Sequence, residues 1–203
     1  MKGSSFFPIV ALLILLQLAA YKNSCLATRP IPEKGDTGYI KTSCNFTLYP
    51  QLCYSSLSKY ASEIQTSPKR LACTALSVTL EDAKSASTTL KELSKSQGLR
   101  SKEAAALKDC VELMSESVDE LQESLEEMGH IKAPDFELKM NNILTWVSAA
   151  LTDDDTCMDG FAGNAANGNV KTTVRKQVGK VAHMTSIALA LINKYASAHI
   201  TAY

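Results

Sequence analysis

SKEAAALKDCVELMSESVDELQESLEEMG, residues Ser101 to Gly129, is the stretch that decides the fold. Leu107, Val111, Met114, Val118, Leu121, Leu125 and Met128 recur at alternating steps of four and three. That spacing predicts a single apolar stripe along one long helix. Asp109, Glu112, Glu116, Asp119, Glu123 and Glu126 keep a three-four spacing of their own and predict an acidic opposite side. Ser101 is placed to cap the start, and Gly129 is placed to end the helix. At about 1.5 Å per residue the element is roughly 40 Å long. A helix of that length with one apolar stripe needs partners of similar length, and the rest of the chain must supply them.

Working outward, residues 69–97 predict a first long helix with Leu76, Leu80, Ala83, Leu90 and Leu93 inward, closed by Gly98. So short a connection makes the two helices antiparallel neighbours. On the other side, His130 to Pro134 is a turn and Asp135 a candidate N-cap. A third helix then runs to about Leu151 with Phe136, Met140, Ile143, Leu144, Val147 and Leu151 inward, and Thr152 to Cys157 extends or follows it. Phe161 to Asn169, with Gly and Asn throughout, reads as a loop. The last helix, from about Val170 to Ala198, turns Val174, Val178, Val181, Met184, Ala188, Leu191 and Tyr195 inward. The expected fold is all-α, an up-down-up-down four-helix bundle over 69–198. Ahead of it, Tyr39 to about Tyr60 reads as two short helical pieces broken at Tyr49-Pro50, an N-terminal helical hairpin over 39–62. Residues 28–38, with two prolines, read as a flexible lead-in.

The chain has 203 residues, enough for one well-cored domain over 39–203. Its 21 basic and 21 acidic residues balance, so nothing points to nucleic acid. The first 27 residues read as a signal peptide: Lys2 gives a positive start, Phe6 to Ala20 is almost wholly apolar, and Cys25-Leu26-Ala27 offers small residues for cleavage. The run is too short to span a bilayer comfortably. The mature chain is therefore expected to be secreted and slightly acidic, and its cysteines become a disulfide question. Cys25 leaves with the signal, so Cys44, Cys53, Cys73, Cys110 and Cys157 remain, which allows two bridges at most. Cys44 and Cys53 flank the Tyr49-Pro50 break and would staple the hairpin.

Helix heights decide the rest. Cys110 lies 19 residues before Gly129, about 28 Å below that turn. Cys157 lies 21 residues after Phe136, about 31 Å down the returning side if the third helix continues. A bridge needs Cα atoms roughly 4.4 to 6.8 Å apart, and these heights nearly agree. Cys73 and Cys110 differ by about 20 Å in height and cannot be joined. The expected bridges are Cys44–Cys53 and Cys110–Cys157, with Cys73 a buried thiol.

No arrangement for catalysis stands out. His130 sits in a turn, His183 lies mid-helix, and His199 falls in the frayed end. No HExxH, CxxC, GxSxG or phosphate-binding glycine loop occurs, and no cofactor is implied. Asp153-Asp154-Asp155 lacks the glycine and distal glutamate of a calcium loop, so it reads as a solvated helix end and not as a metal site. No lysine or arginine interrupts Asp109 to Glu127, and that one-sign face is either an ordinary solvated face or a docking surface for a basic partner. Asn45-Phe46-Thr47 is a glycosylation sequon.

Four motifs in order carry a resemblance. Cys44-Asn45-Phe46-Thr47-Leu48-Tyr49-Pro50-Gln51-Leu52-Cys53 follows the signal, and Leu107-Lys108-Asp109-Cys110-Val111-Glu112-Leu113 holds a helical cysteine. Thr145-Trp146-Val147-Ser148-Ala149-Ala150-Leu151-Thr152 and Thr156-Cys157-Met158-Asp159-Gly160-Phe161 come after. Together they resemble the plant invertase and pectin methylesterase inhibitor family over essentially all of the mature chain. The resemblance implies the same bundle and hairpin with the same two bridges, in a non-enzymatic inhibitor of the apoplast and cell wall. It implies that such an inhibitor covers the pectin-binding cleft of pectin methylesterase in a one-to-one, non-covalent complex. Contact residues carried over by position are Glu112, Glu116 and Asp119, with Thr156 and Asp159 from the Thr-Cys-x-Asp motif. Asp159 can equally cap or brace its own turn.

The alternative target is acid invertase, cell-wall or vacuolar. Inhibitors of that branch resemble this chain but carry Pro-Lys-Phe ahead of the third long helix, where Pro134-Asp135-Phe136 has an acid instead. The Thr145–Thr152 stretch resembles the methylesterase-directed branch. A further alternative is a non-inhibitory secreted helical protein binding a small apolar ligand, which requires a core cavity that stripes of Leu, Val and Met do not predict. The free protein is expected to be a monomer.

Overall fold

The computed structural model describes residues 34–162 and 168–200. The expected signal peptide, most of the lead-in, the middle of the 161–169 loop and the last three residues lie outside them. The described elements are α1 (Lys34–Cys44), α2 (Pro50–Leu57), a 3-10 turn (Ser58–Tyr60), α3 (Ala61–Ile64), α4 (Pro68–Leu93), α5 (Ser101–Gly129), a 3-10 turn (Ala133–Asp135), α6 (Phe136–Asp159) and α7 (Asn169–Ile200). α4, α5, α6 and α7 are the four long helices. Each packs against its neighbours in sequence and α7 closes on α4, as an up-down-up-down bundle requires.

The hairpin begins earlier than the sequence suggests. α1 takes in 34–38, assigned above to the lead-in, because Ile40, Ser43 and Cys44 are buried and hold the helix behind them, with Asp36 favourable in its first turn. Pro50 stands at the first position of α2, where its missing N–H costs nothing. The Cys44–Cys53 bridge closes the pair with Cα atoms 5.6 Å apart. α1 lies against α7, α2 against both α4 and α7, and α3 against α4. Tyr49 stacks on His183 of α7 with ring centroids 4.0 Å apart, which gives that histidine a structural place. Gln65 at φ +53° turns the chain into α4, where the Ser67 hydroxyl caps by accepting from the Arg70 N–H.

α4 stops at Leu93, short of Gly98; Gly98 takes φ +83° within the connection instead. Ser101 is the first helical residue of α5, not its cap. Buried Glu103 reaches back to accept the Arg100 backbone N–H at 3.1 Å and its guanidinium at 2.7 Å. At the far end His130 Nδ1 lies 2.8 Å from the Glu126 carbonyl.

The core seam of α5 is narrower than the apolar stripe. Leu107, Cys110, Met114, Ser117, Leu121, Ser124 and Met128 are buried, while Val111, Val118 and Leu125 are half-buried at its margin. Small side chains on the seam let the helices approach closely, and the larger ones flank it. α6 continues to Asp159, so the residues after Leu151 extend the third helix. Its buried row is Phe136, Met140, Ile143, Val147, Ala150, Asp154 and Cys157, with Leu144 and Leu151 half-buried. The Cys110–Cys157 bridge ties α5 to α6 with Cα atoms 4.6 Å apart, and Cys73 is buried outside both bridges.

Asp135 holds the N-cap position of α6 without a side-chain capping bond; the 3-10 turn leads in instead. Phe161 is fully buried and anchors the start of what reads as a loop. His199 is not frayed: its ring centroid lies 3.7 Å from that of Phe136.

Candidate functional site

α5 and α6 together build one exposed polar face. Asp109, Glu112, Glu116, Asp119, Glu123 and Glu126 are all exposed along α5, a row of about 26 Å at the helical rise. Among the described residues, no lysine or arginine forms a salt bridge with Glu112, Glu116 or Asp119. The nearest ion pair on this side, Lys139 to Glu127 at 3.3 Å, lies at the α5–α6 turn. Carboxylates with no ion-pair partner among the described residues leave their charge open to an external cation.

At the other end of this face the bridge fixes a shallow cavity of about 420 Å³. Ala106, Asp109 and Leu113 of α5 line it from one side, and Thr156, Asp159 and Gly160 from the other. The structure thus brings Thr156 and Asp159 beside Asp109 and Leu113, which lie in the helical-cysteine motif but are not among the contact residues carried over by position. The Thr156 hydroxyl donates to the Thr152 carbonyl at 2.7 Å, and Asp159 is exposed, its backbone carbonyl accepting from Ala162. Glu112, Glu116 and Asp119 continue from this cavity up α5.

Beneath the exposed row lies a second set of carboxyls. The Asp153–Asp155 run is not a solvated helix end: Asp154 is 0% exposed. It accepts from the Ser117 hydroxyl of α5 and the Thr185 hydroxyl of α7, each at 2.9 Å, and so ties three helices together. Burial pushes its carboxyl up to about 7, although the Thr185 and Ser117 bonds oppose the rise. Glu120 is also pushed up to about 7, first by burial, then by the charge of Asp153 and the hydrogen bond shared with it. Burial and Glu116 raise Asp153 as well. Glu120 Oε2 is buried with no hydrogen-bond partner among the described residues, in keeping with the burial that raises this carboxyl. The missed signal was periodic: Met140, Ile143, Val147, Ala150, Asp154 and Cys157 share one three-four row.

A second cavity, about 530 Å³, opens at the α5–α6 turn end between Pro134, Phe136, Met140, Leu144, Asn193 and Ala196. It is an open cleft whose floor includes Phe136, Met140 and Ala196 of the core. Among the described residues, no group of three or more His, Cys, Asp or Glu side chains could hold a metal ion. No described helix is long and apolar enough to cross a membrane.

A bridge-braced helical bundle that offers a carboxylate row and a shallow cleft is built as a protein that acts by binding. The chain belongs to the plant invertase/pectin methylesterase inhibitor family, whose family model matches residues 38–191. It is similar to the 21 kDa protein of Daucus carota, 49% identical over 79% of this chain and 85% of that protein. Pectinesterase inhibitor 10 of Arabidopsis thaliana is 53% identical over 78% of this chain, which spans only 51% of that relative. Pectinesterase inhibitor 11 of the same plant is 43% identical over 91% of this chain and 94% of its own length. Among solved structures, a mutant form of an Arabidopsis pectin methylesterase inhibitor matches the fold with a TM-score of 0.62 at 24% identity, over 76% of this chain and 95% of that one.

Proposed function

We propose that this protein is a secreted inhibitor of pectin methylesterase, not itself an enzyme, acting in the apoplast and cell wall. The observation that carries the reading is the row Glu112, Glu116 and Asp119, exposed along one long helix and without an ion-pair partner among the described residues. Family membership and relatives named pectinesterase inhibitors support it.

The mechanism is steric. The α5–α6 face lies over the pectin-binding cleft of the enzyme in a one-to-one complex, with the carboxylate row against basic groups of the target. Thr156 and Asp159 add contacts at the bridge end. No bond is made or broken. The two-fold tie between α5 and α6, bridge below and buried carboxyls above, holds the face in one shape before binding, so little ordering entropy is lost on docking.

The test titrates purified protein against plant pectin methylesterase and plant acid invertase side by side at acidic, cell-wall pH. Loss of methylesterase activity alone, saturating near one inhibitor per enzyme, is the expected outcome. Loss of invertase activity alone would assign the face to the family's other target, despite the acid in Pro134-Asp135-Phe136.

A further inference from the structure

We propose that Asn45 carries an N-linked glycan, added before the Cys44–Cys53 bridge closes and held on the side of the bundle away from the α5–α6 face. Asn45-Phe46-Thr47 is the one Asn-x-Ser/Thr sequon in the chain, and both bridges of the structure fit an oxidising secretory compartment. Asn45 is exposed. Two large apolar side chains follow it, Phe46 at 70% and Leu48 at 80% exposure, with only the Lys194 ammonium 4.0 Å over the Phe46 ring. A glycan rooted beside them covers both.

The folded turn cannot be the form that is modified. The amides of Asn45, Phe46 and Thr47 donate to the carbonyls of Lys41, Ser43 and Cys44. The Thr47 hydroxyl is buried and donates to the Cys44 carbonyl at 2.8 Å, so it is not available to a transferase that must engage it along with the amide. Transfer therefore precedes folding of the hairpin. Asn45 Nδ2 attacks the anomeric carbon of a lipid-diphosphate-linked oligosaccharide; the N–C bond forms as the C–O bond to diphosphate breaks. The lipid diphosphate leaves and the amide proton passes to the transferase. Closure of the bridge, one residue away at Cys44, competes with that step and leaves part of the protein bare.

Placement follows from packing. α1 and α2 rest on α4 and α7, across the bundle from the carboxylate row, so the glycan leaves that face open. This last point rests on the function proposed above.

The test expresses the full chain in plant cells behind a proven secretory leader and maps peptides after treatment with peptide N-glycosidase in ¹⁸O-water. Conversion of Asn45 to labelled aspartate, absent from Asn45→Gln, is expected. Secreted, bridged protein with unlabelled Asn45 overturns the proposal. In total cell and medium material, Cys53→Ser raises the glycosylated share; an unchanged share overturns the competition. Glycosylated and enzymatically deglycosylated protein inhibit within twofold of each other, and a gain of tenfold or more on deglycosylation overturns the placement. If neither form inhibits, the function proposed above fails while the mapping result stands.

Discussion

Asp154 sits at a core position of α6 and keeps two hydroxyls from neighbouring helices as its partners. The Thr185 hydroxyl also lies 3.0 Å from the Val181 carbonyl. A neutral side chain at 154 can therefore donate to Thr185 while Thr185 donates onward, so every group stays satisfied. Asp154→Asn meets the same pattern, with Nδ2 facing Thr185 and Oδ1 facing Ser117. It should fold and be at least as stable as the parent at neutral pH. Asp154→Ala strands the Ser117 hydroxyl and leaves Thr185 only the Val181 carbonyl, beside a small void, and should cost about 1–3 kcal/mol. The folded pKa near 7 stands above the ordinary carboxylate value, so the native state holds a proton that the unfolded chain has released. Stability from this group is complete below about pH 4 and is lost as pH rises through 7, at no more than about 1.4 kcal/mol per pH unit. Thermal melts followed by circular dichroism should give a higher Tm at pH 5 than at pH 8, and Asp154→Asn should reduce the difference. Equal slopes in the two proteins would remove Asp154 as the source. The exposed acids behave differently. Glu116→Lys or Asp119→Lys should weaken inhibition at least tenfold while the melting curve stays in place; unaltered inhibition would take the row out of the interface. Of these residues, the row was readable from spacing because exposure follows from helix period alone. Asp154 was not: an aspartate triplet suggests solvent, and only Ser117 and Thr185, distant in sequence, make its burial tolerable.

α5 shows how far periodicity reaches for a single element. Its bounds follow from the sequence because an unbroken run of helix formers lies between Gly98 and Gly129. The face it buries is offset from the apolar stripe because packing favours Cys110, Ser117 and Ser124 on the seam, where short side chains admit neighbouring helices. Hydrophobicity alone ranks Val111 and Val118 above serine and so puts them in the centre. The start of α1 was missed for a related reason, since two glycines in 34–38 argue against helix until the buried Ile40–Cys44 turn is there to extend from. The α5–α6 bridge could be placed by height because both helices are regular, and that regularity gives it a measurable role. It joins residues 47 apart, and closing a loop of that size removes about 4 kcal/mol of unfolded-state entropy at most. Replacing both Cys110 and Cys157 with alanine should lower unfolding free energy by about 2–4 kcal/mol in urea. Helicity should be nearly unchanged, since each helix keeps its own hydrogen bonds. A loss below about 0.5 kcal/mol would mean that the seam alone fixes the pair.

The balanced net charge conceals a separation across the bundle. α5 has no basic residue from Asp109 to Glu127, whereas α7 carries Lys171, Arg175, Lys176, Lys180 and Lys194 and no acid. These helices are diagonal in the bundle, so the molecule is a dipole with its negative side on the proposed docking face. Lys180 reaches Asp82 of α4 at 2.7 Å, and Lys194 lies over the Phe46 ring. The orientation matters for encounter more than for the finished contact. Charges on a rim of water-exposed carboxylates act over a Debye length of about 10 Å at 0.1 M salt and about 3 Å at 1 M, so they guide approach and are screened readily. Once the faces meet, the buried contacts near the cleft at Thr156 and Leu113 are short-range and largely insensitive to salt. Association with pectin methylesterase should therefore slow by roughly tenfold between low and physiological ionic strength, while dissociation changes less than about twofold. Stopped-flow association and surface-plasmon dissociation separate the two rates. Charge reversal at Glu116 and Asp119 together should flatten the salt dependence of association. If salt acted instead on dissociation, the carboxylates would be buried partners inside the complex, and their reversal would shorten its lifetime rather than slow its formation.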